Sequence, residues 1–170
     1  AASSDYPLRD VYKRQRQYWL MKSEPDEFSI DDLERVGNEP WSGVRNYQAR
    51  NFMWKQMRVG DGVFFYHSNA DVPGIYGLAT VASTPYPDPT QFDAKSDYFD
   101  AKSTREDPRW WLVDVGFERK LSRAISLDEL RSHADALDDF VLLRRGTRLS
   151  VLPVTAAQWK HILTLEKQRP

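Results

Sequence analysis

Cysteine is absent from the chain. Its absence excludes disulfides, thiolate zinc sites and cysteine nucleophiles together, and fits a reducing compartment such as the cytoplasm. No apolar run approaches the roughly 18 residues that a membrane-crossing helix needs. Histidine is scarce, and the spacing of His67, His133 and His161 matches no zinc-ligand pattern. Gly-rich phosphate loops and a Gly-x-Ser-x-Gly elbow are also missing. The formal net charge of −1 gives no bulk attraction to polyanions, so any nucleic-acid contact must come from a local patch.

Aromatic residues are plentiful instead. Six tryptophans, at positions 19, 41, 54, 110, 111 and 159, stand among 170 residues. That number supplies a core and leaves rings for a stacking site. The length favours one domain with enough buried surface to need no staples. Residues 1–16 do not read as part of it. They show no hydrophobic period, and Asp10-Val11-Tyr12-Lys13-Arg14-Gln15 looks like the translation of a sequencing adaptor. A foreign or flexible tail is expected there.

From residue 17 the pattern is regular. Tyr18-Trp19-Leu20-Met21 predicts a buried strand closed by Pro25. Ser29 predicts a helix cap over Ile30 to Val36, with Gly37 just past the end. Asn38 to Trp41 reads as loop and Tyr47 to Met57 as one helix. Val63 to Ser68 and Ile75 to Ala82 read as strands. The polar stretch Thr84 to Pro108 is long enough to suggest a functional loop. Arg109 to Arg119 returns to strand. Ser126 and Thr155 open capping boxes on either side of a strand at Leu149 to Leu152. Strands and short helices mix without βαβ alternation, which predicts an α+β barrel rather than a doubly wound sheet.

Candidate chemistry concentrates in a few places. Between Trp41 and Gly60 lie Arg45, Arg50, Lys55 and Arg58 with no acidic residue, interleaved with Trp41, Tyr47, Phe52 and Trp54. Cations for phosphate and flat rings for stacking are what binding of a single-stranded or flipped base requires. The same spacing also fits an amphipathic helix with solvated arginines and core aromatics. Lys22-Ser23-Glu24 ends a strand, as either ligand groups or an exposed turn. Tyr66-His67-Ser68-Asn69 ends another with four polar tips, where His67 is either a site residue or a hydrogen-bonded structural one. Trp110 and Trp111 should face opposite sides of a strand, one in the core and the other free to wall a pocket or cover an edge.

These stretches carry a family resemblance. Tyr18 to Pro25, Trp41 to Asn51 and Phe65 to Asn69 resemble the EVE domain. Further matches are Tyr86-Pro87-Asp88-Pro89-Thr90, Arg109-Trp110, and Arg148-Leu149-Ser150-Val151 with Pro153-Val154. The likeness runs from about Gln17 to Leu165. It implies a PUA-like mixed β-barrel with short helices over residues 17–167, related to the YTH domain that binds methylated adenine in RNA. It also implies a binding module for modified cytosine, in DNA before RNA. By the YTH parallel Trp41 would wall a base cage, Ser23 and Ser42 would meet the base edge, and Lys22 would lie at the mouth.

The full expected set for the base is Lys22, Ser23, Trp41, Ser42, Val44, Asn46, Tyr66, His67, Ser68 and Trp110. Arg45 and Arg50 are expected on phosphate. Neither metal, cofactor nor membrane is expected, and the protein should be a monomer. Two other classes compete. The neighbouring ASCH branch includes amidohydrolases that deacylate modified cytosine with a lysine, a hydroxyl and a glutamate, the residue types of Lys22, Ser23 and Glu24. Side chains alternate along a strand, so three consecutive residues should not share a site, and a further carboxylate or hydroxyl would be needed. A protein-interaction domain with a vestigial pocket is the other.

Overall fold

The computed structural model describes residues 15–170. The tail expectation for residues 1–14 lies outside them. Arg16, counted with that tail, donates from Nε to the Gly60 carbonyl at 2.8 Å and stands over the rings of Tyr18 and Trp159.

In chain order the elements are β1 (Tyr18–Ser23), α1 (Ile30–Val36), β2 (Asn38–Pro40), α2 (Tyr47–Asn51) running into a π-helical turn (Phe52–Gln56), β3 (Gly62–His67) and β4 (Gly74–Val81). There follow β5 (Tyr86–Pro87), β6 (Trp111–Leu112), β7 (Asp114–Ser126), α3 (Leu127–Ser132), α4 (Ala134–Leu137), β8 (Val151–Val154) and α5 (Ala156–Leu165). Six strands form one sheet in the order β2-β7-β4-β3-β1-β8, curled into a half-barrel, and β5 and β6 pair separately. The α+β class expected from the mixed pattern is the one found.

The uninterrupted apolar runs of β1 and β3 have a simple cause: both faces of the sheet are covered. Trp19, Met21, Val63 and Phe65 pack into one core, with Ile30 and Leu33 of α1 and Met53 of the π-helical turn. Leu20, Phe64 and Tyr66 alternate onto the other face, against Leu130 of α3, Leu137 of α4, and Trp159 and Ile162 of α5. The strands β4 and β7 approach closely at Gly74, where any Cβ would lie 2.3 Å from the Ile125 carbonyl oxygen.

Helix starts obey their caps. Ser29 accepts from Asp32 N at 3.1 Å while the Asp32 carboxylate accepts from Ser29 N at 2.9 Å. Thr155 and Gln158 make the same reciprocal pair. At Ser126 only half the box forms, because the Glu129 carboxylate turns to Arg123, at 2.7 and 2.8 Å.

Other boundaries differ from expectation for physical reasons. Residues 38–40 are an edge strand, paired antiparallel with β7, rather than loop. Their polarity and Pro40 hide the strand, and an edge position tolerates both. The predicted helix over 47–57 splits where Met57 N bonds back five residues to Phe52 O at 2.9 Å. The strand expected over 109–119 breaks after Leu112 and resumes as the thirteen-residue β7.

Glu166 closes the sheet to the C-terminal helix. Its carboxylate takes both terminal nitrogens of Arg119, at 2.8 and 2.9 Å, and Ser122 N at 2.6 Å. The Arg119 guanidinium pulls the Glu166 pKa from 4.5 down to about 2. A depressed carboxylate stabilises above its unfolded pKa and loses that contribution as pH falls through the folded value. Glu166→Gln is therefore expected to cost about 2 kcal/mol at neutral pH, the scale of a charged hydrogen bond. The gap between variant and parent should close between pH 4.5 and about 2, as followed by denaturant unfolding across that range.

Candidate functional site

One end of the sheet carries a cavity of about 430 Å³. Strand directions create it. β1 and β3 run parallel, so Ser23 and Ser68 end at the same edge, and Ser68 N donates to Ser23 O at 3.0 Å. β8 is antiparallel to β1, which brings Arg148, Leu149 and Ser150 to that edge, with Lys22 N on Ser150 O at 2.8 Å. The segment after β2 supplies Trp41 to Arg45, and the long loop supplies Tyr98.

Seven expected residues border this cavity: Lys22, Ser23, Trp41, Ser42, Val44, Arg45 and Ser68. Trp41 is 8% exposed, its ring edge-on to Phe65 at 5.6 Å. The Ser23 hydroxyl donates to Phe28 O at 2.6 Å, which leaves its oxygen lone pairs as acceptors. Lys22 is half-buried and forms no ion pair among the described residues, and burial lowers its pKa. Glu39, a residue that sequence patterns do not single out, borders the cavity with its pKa raised, first by burial and then by Asp114 and Asp32. Glu24, Glu27 and Phe28 also line it. Glu24 stands one residue past the end of β1, so strand alternation does not keep it from sharing the edge with Lys22 and Ser23.

Arg45 behaves differently from the phosphate contact expected of it. Nε donates to Tyr98 O at 3.1 Å, Nη1 to Val44 O and Asp88 Oδ2 at 3.1 Å each, and Nη2 to Thr90 Oγ1 at 3.0 Å and Tyr98 O at 2.6 Å. Those five bonds use all five guanidinium N–H groups. Asp88, only 2% exposed, also accepts from Gly43 N at 2.8 Å. Gly43 has φ +85°, and a Cβ there would meet the Tyr98 ring at 2.7 Å. Arg45 is thus the latch that ties the long loop to the Trp41–Arg45 segment and seats Tyr98 on Gly43.

The remaining expected residues stand elsewhere. Asn46 caps α2, accepting from Ala49 N at 2.9 Å. Tyr66 is buried in the core on the other face of the sheet. His67 accepts from Ile30 N at 3.1 Å and stacks on Tyr76 at 4.1 Å, and burial lowers its pKa, which keeps the ring neutral for that role. Trp110 stacks on Tyr47 at 4.8 Å and donates to Asp100 at 2.8 Å. Trp111 stacks on Trp54 at 4.7 Å. Both tryptophans therefore buttress α2 and the π-helical turn and do not border this cavity, since Trp110 precedes β6 and escapes its alternation. Arg50 lies over Tyr47 and Trp54 and donates to Arg109 O at 2.7 Å.

The fold is that of a PUA-like module. The EVE domain family matches residues 17–165, and the chain belongs to that family. Zebrafish thymocyte nuclear protein 1 is 43% identical over 179 residues, covering 95% of this chain and 77% of its own length. A solved structure from Pseudomonas syringae is similar with a TM-score of 0.84 and 51% identity, over 88% of this chain and 99% of that one. The human THYN1 protein, solved in complex with 5-methylcytosine-containing DNA, gives a TM-score of 0.86 and 41% identity, over 91% of this chain and 99% of its own. Among the described residues no helix is long and apolar enough to cross a membrane.

Proposed function

We propose that this protein binds DNA bearing a modified cytosine, and holds that base, turned out of the helix, in the strand-end cavity. The single observation that carries the reading is the meeting of Trp41, Lys22, Ser23 and Ser42 around one cavity of about 430 Å³. Its size sits at the lower end of small-ligand pockets, which suits one flat polar group. The complex of the human relative with 5-methylcytosine-containing DNA supports the choice of base.

A cytosine offers an N4 amine as donor and O2 as acceptor. Ser23 Oγ and the Glu39 carboxylate accept from the amine. Lys22 and the hydroxyls of Ser42 and Ser68 donate to the ring. Trp41 stacks, and Val44 and Leu149 give the 5-methyl group an apolar contact. One chain serves one base. The vertebrate relative carries a nuclear name, and the cytoplasmic placement expected from the sequence is no part of the proposal.

The test is a binding titration with duplexes that differ at one position, cytosine against 5-methylcytosine. A preference of about tenfold, equal to about 1.4 kcal/mol, is expected. Equal affinities overturn the reading.

One observation favours the amidohydrolase reading: Lys22, Ser23 and Glu24 all border the cavity, beside Glu27 and Glu39. The binding reading stands ahead of it because Lys22 lacks an ion-paired carboxylate among the described residues to hold it for proton transfer. N4-acetylcytidine incubated with the protein is expected to remain intact by chromatography. Turnover that disappears in Lys22→Ala would reverse the ranking.

A further inference from the structure

We propose that a second cavity beyond Arg148 takes the nucleotide next in the chain to the modified one, and that Arg148 binds the phosphate joining them. The proposal rests on the base-binding reading above. The second cavity measures about 360 Å³ and is bordered by Asn46, Gln48, Phe52, Arg144, Thr147 and Pro153, among others. It shares Arg148 and Leu149 with the base cavity. Two adjacent nucleotides are joined by an anion, so a surface that seats both needs a cation between the seats. The position between these two cavities is held by an exposed arginine.

The charges separate in the same sense. Glu24, Glu27 and Glu39 border the base cavity, and a phosphate would be repelled there. Among the described residues no carboxylate borders the second cavity.

The other arginines that border either cavity are committed. Arg45 has spent its donors inside the protein, and Arg144 is held by both oxygens of Asp139, at 3.1 and 2.9 Å. Arg148 has no hydrogen bond or ion pair to any described residue, so its planar fork remains available for bidentate contact with a phosphate. Beside it, Phe52 and Pro153 offer apolar faces for a sugar or base, and Gln48 offers an amide for a base edge. The protein then reads a dinucleotide step rather than a lone base.

The experiment uses the full chain and duplexes with one 5-methylcytosine, in which the phosphate on its 5′ or its 3′ side is replaced by a neutral methylphosphonate. One of the two replacements is expected to weaken the parent about tenfold and to leave Arg148→Gln unaffected, with the variant's salt slope lower by about 1. Arg148→Gln should keep the parent's melting temperature and its preference for 5-methylcytosine over cytosine. If both neutral linkages act alike on parent and variant while the base preference stands, this proposal falls and the base-binding reading survives. If the parent has no preference for 5-methylcytosine, the base-binding reading falls and this inference falls with it.

Discussion

Replacing Arg45 with alanine is expected to destabilise the protein by about 3 kcal/mol, the lower end of the cost of removing one partner from a buried ion pair. The Asp88 carboxylate, 2% exposed, would keep its bonds to Gly43 N, Thr90 N and the Thr90 hydroxyl but lose its only countercharge among the described residues. The carbonyls of Val44 and Tyr98 would lose donors as well. In a domain of this size the melting temperature should drop by roughly 6–12 °C. Arg45→Lys should not restore it, because an ammonium cannot reach four acceptors in the plane of a guanidinium fork. Asp88→Asn on the Arg45→Ala background should recover part of the loss, since it removes the stranded charge. Were Arg45 a phosphate contact, as its place in the basic run suggests, Arg45→Ala would melt like the parent and bind DNA with a reduced salt slope. Thermal melts and a salt titration on one preparation distinguish the two roles.

Trp41→Ala is expected to act twice. Loss of a base–aromatic contact should remove about 1–3 kcal/mol of binding, which is roughly a tenfold to hundredfold weakening. The loss should fall more on 5-methylcytosine duplexes than on cytosine ones. Because the ring also packs edge-on against Phe65, truncation should cost about 3–5 kcal/mol of stability, as for other buried aromatics. Trp41→Phe separates the effects: it retains much of the packing and a smaller stacking face, so stability should recover further than affinity. Binding is to be read below the melting temperature of each variant. A folded Trp41→Ala protein that binds both duplexes as the parent does would remove Trp41 from the base site.

The cavity was partly legible in the sequence. The resemblance to the EVE domain points to Trp41, Lys22, Ser23 and Ser42, whereas their spacing fits solvated turns and an amphipathic helix equally well. Arg148, Leu149 and Ser150 lay in a matched motif without any role attached to them. Tyr98 sat in a loop whose length suggested function, with nothing to mark the residue. Glu39 lies in a segment whose polar pattern reads as loop. Tyr66 and His67 looked like site residues because they end a strand. Their side chains nevertheless follow β3's alternation, Tyr66 into the core on one face and His67 onto Ile30 and Tyr76 on the other.

What the sequence determined by itself is whatever depends on neighbours in the chain. The Ser29 and Thr155 caps, the alternating faces of β1 and β3, and the helix that stops at Gly37 are set within a few residues, so their patterns announce them. What an arginine does is decided at a distance. Arg45 reaches its carboxylate 43 residues away and Tyr98 O 53 residues away, and Arg50 reaches Arg109 O across 59. Two arginines of one basic run thus become a latch and a stacking plate, while Arg148, outside that run, is left with an open guanidinium between two cavities. A side chain's donors go to whichever acceptors the fold brings within about 3 Å. That choice belongs to the tertiary structure, because the competing acceptors lie on segments whose approach no local pattern encodes.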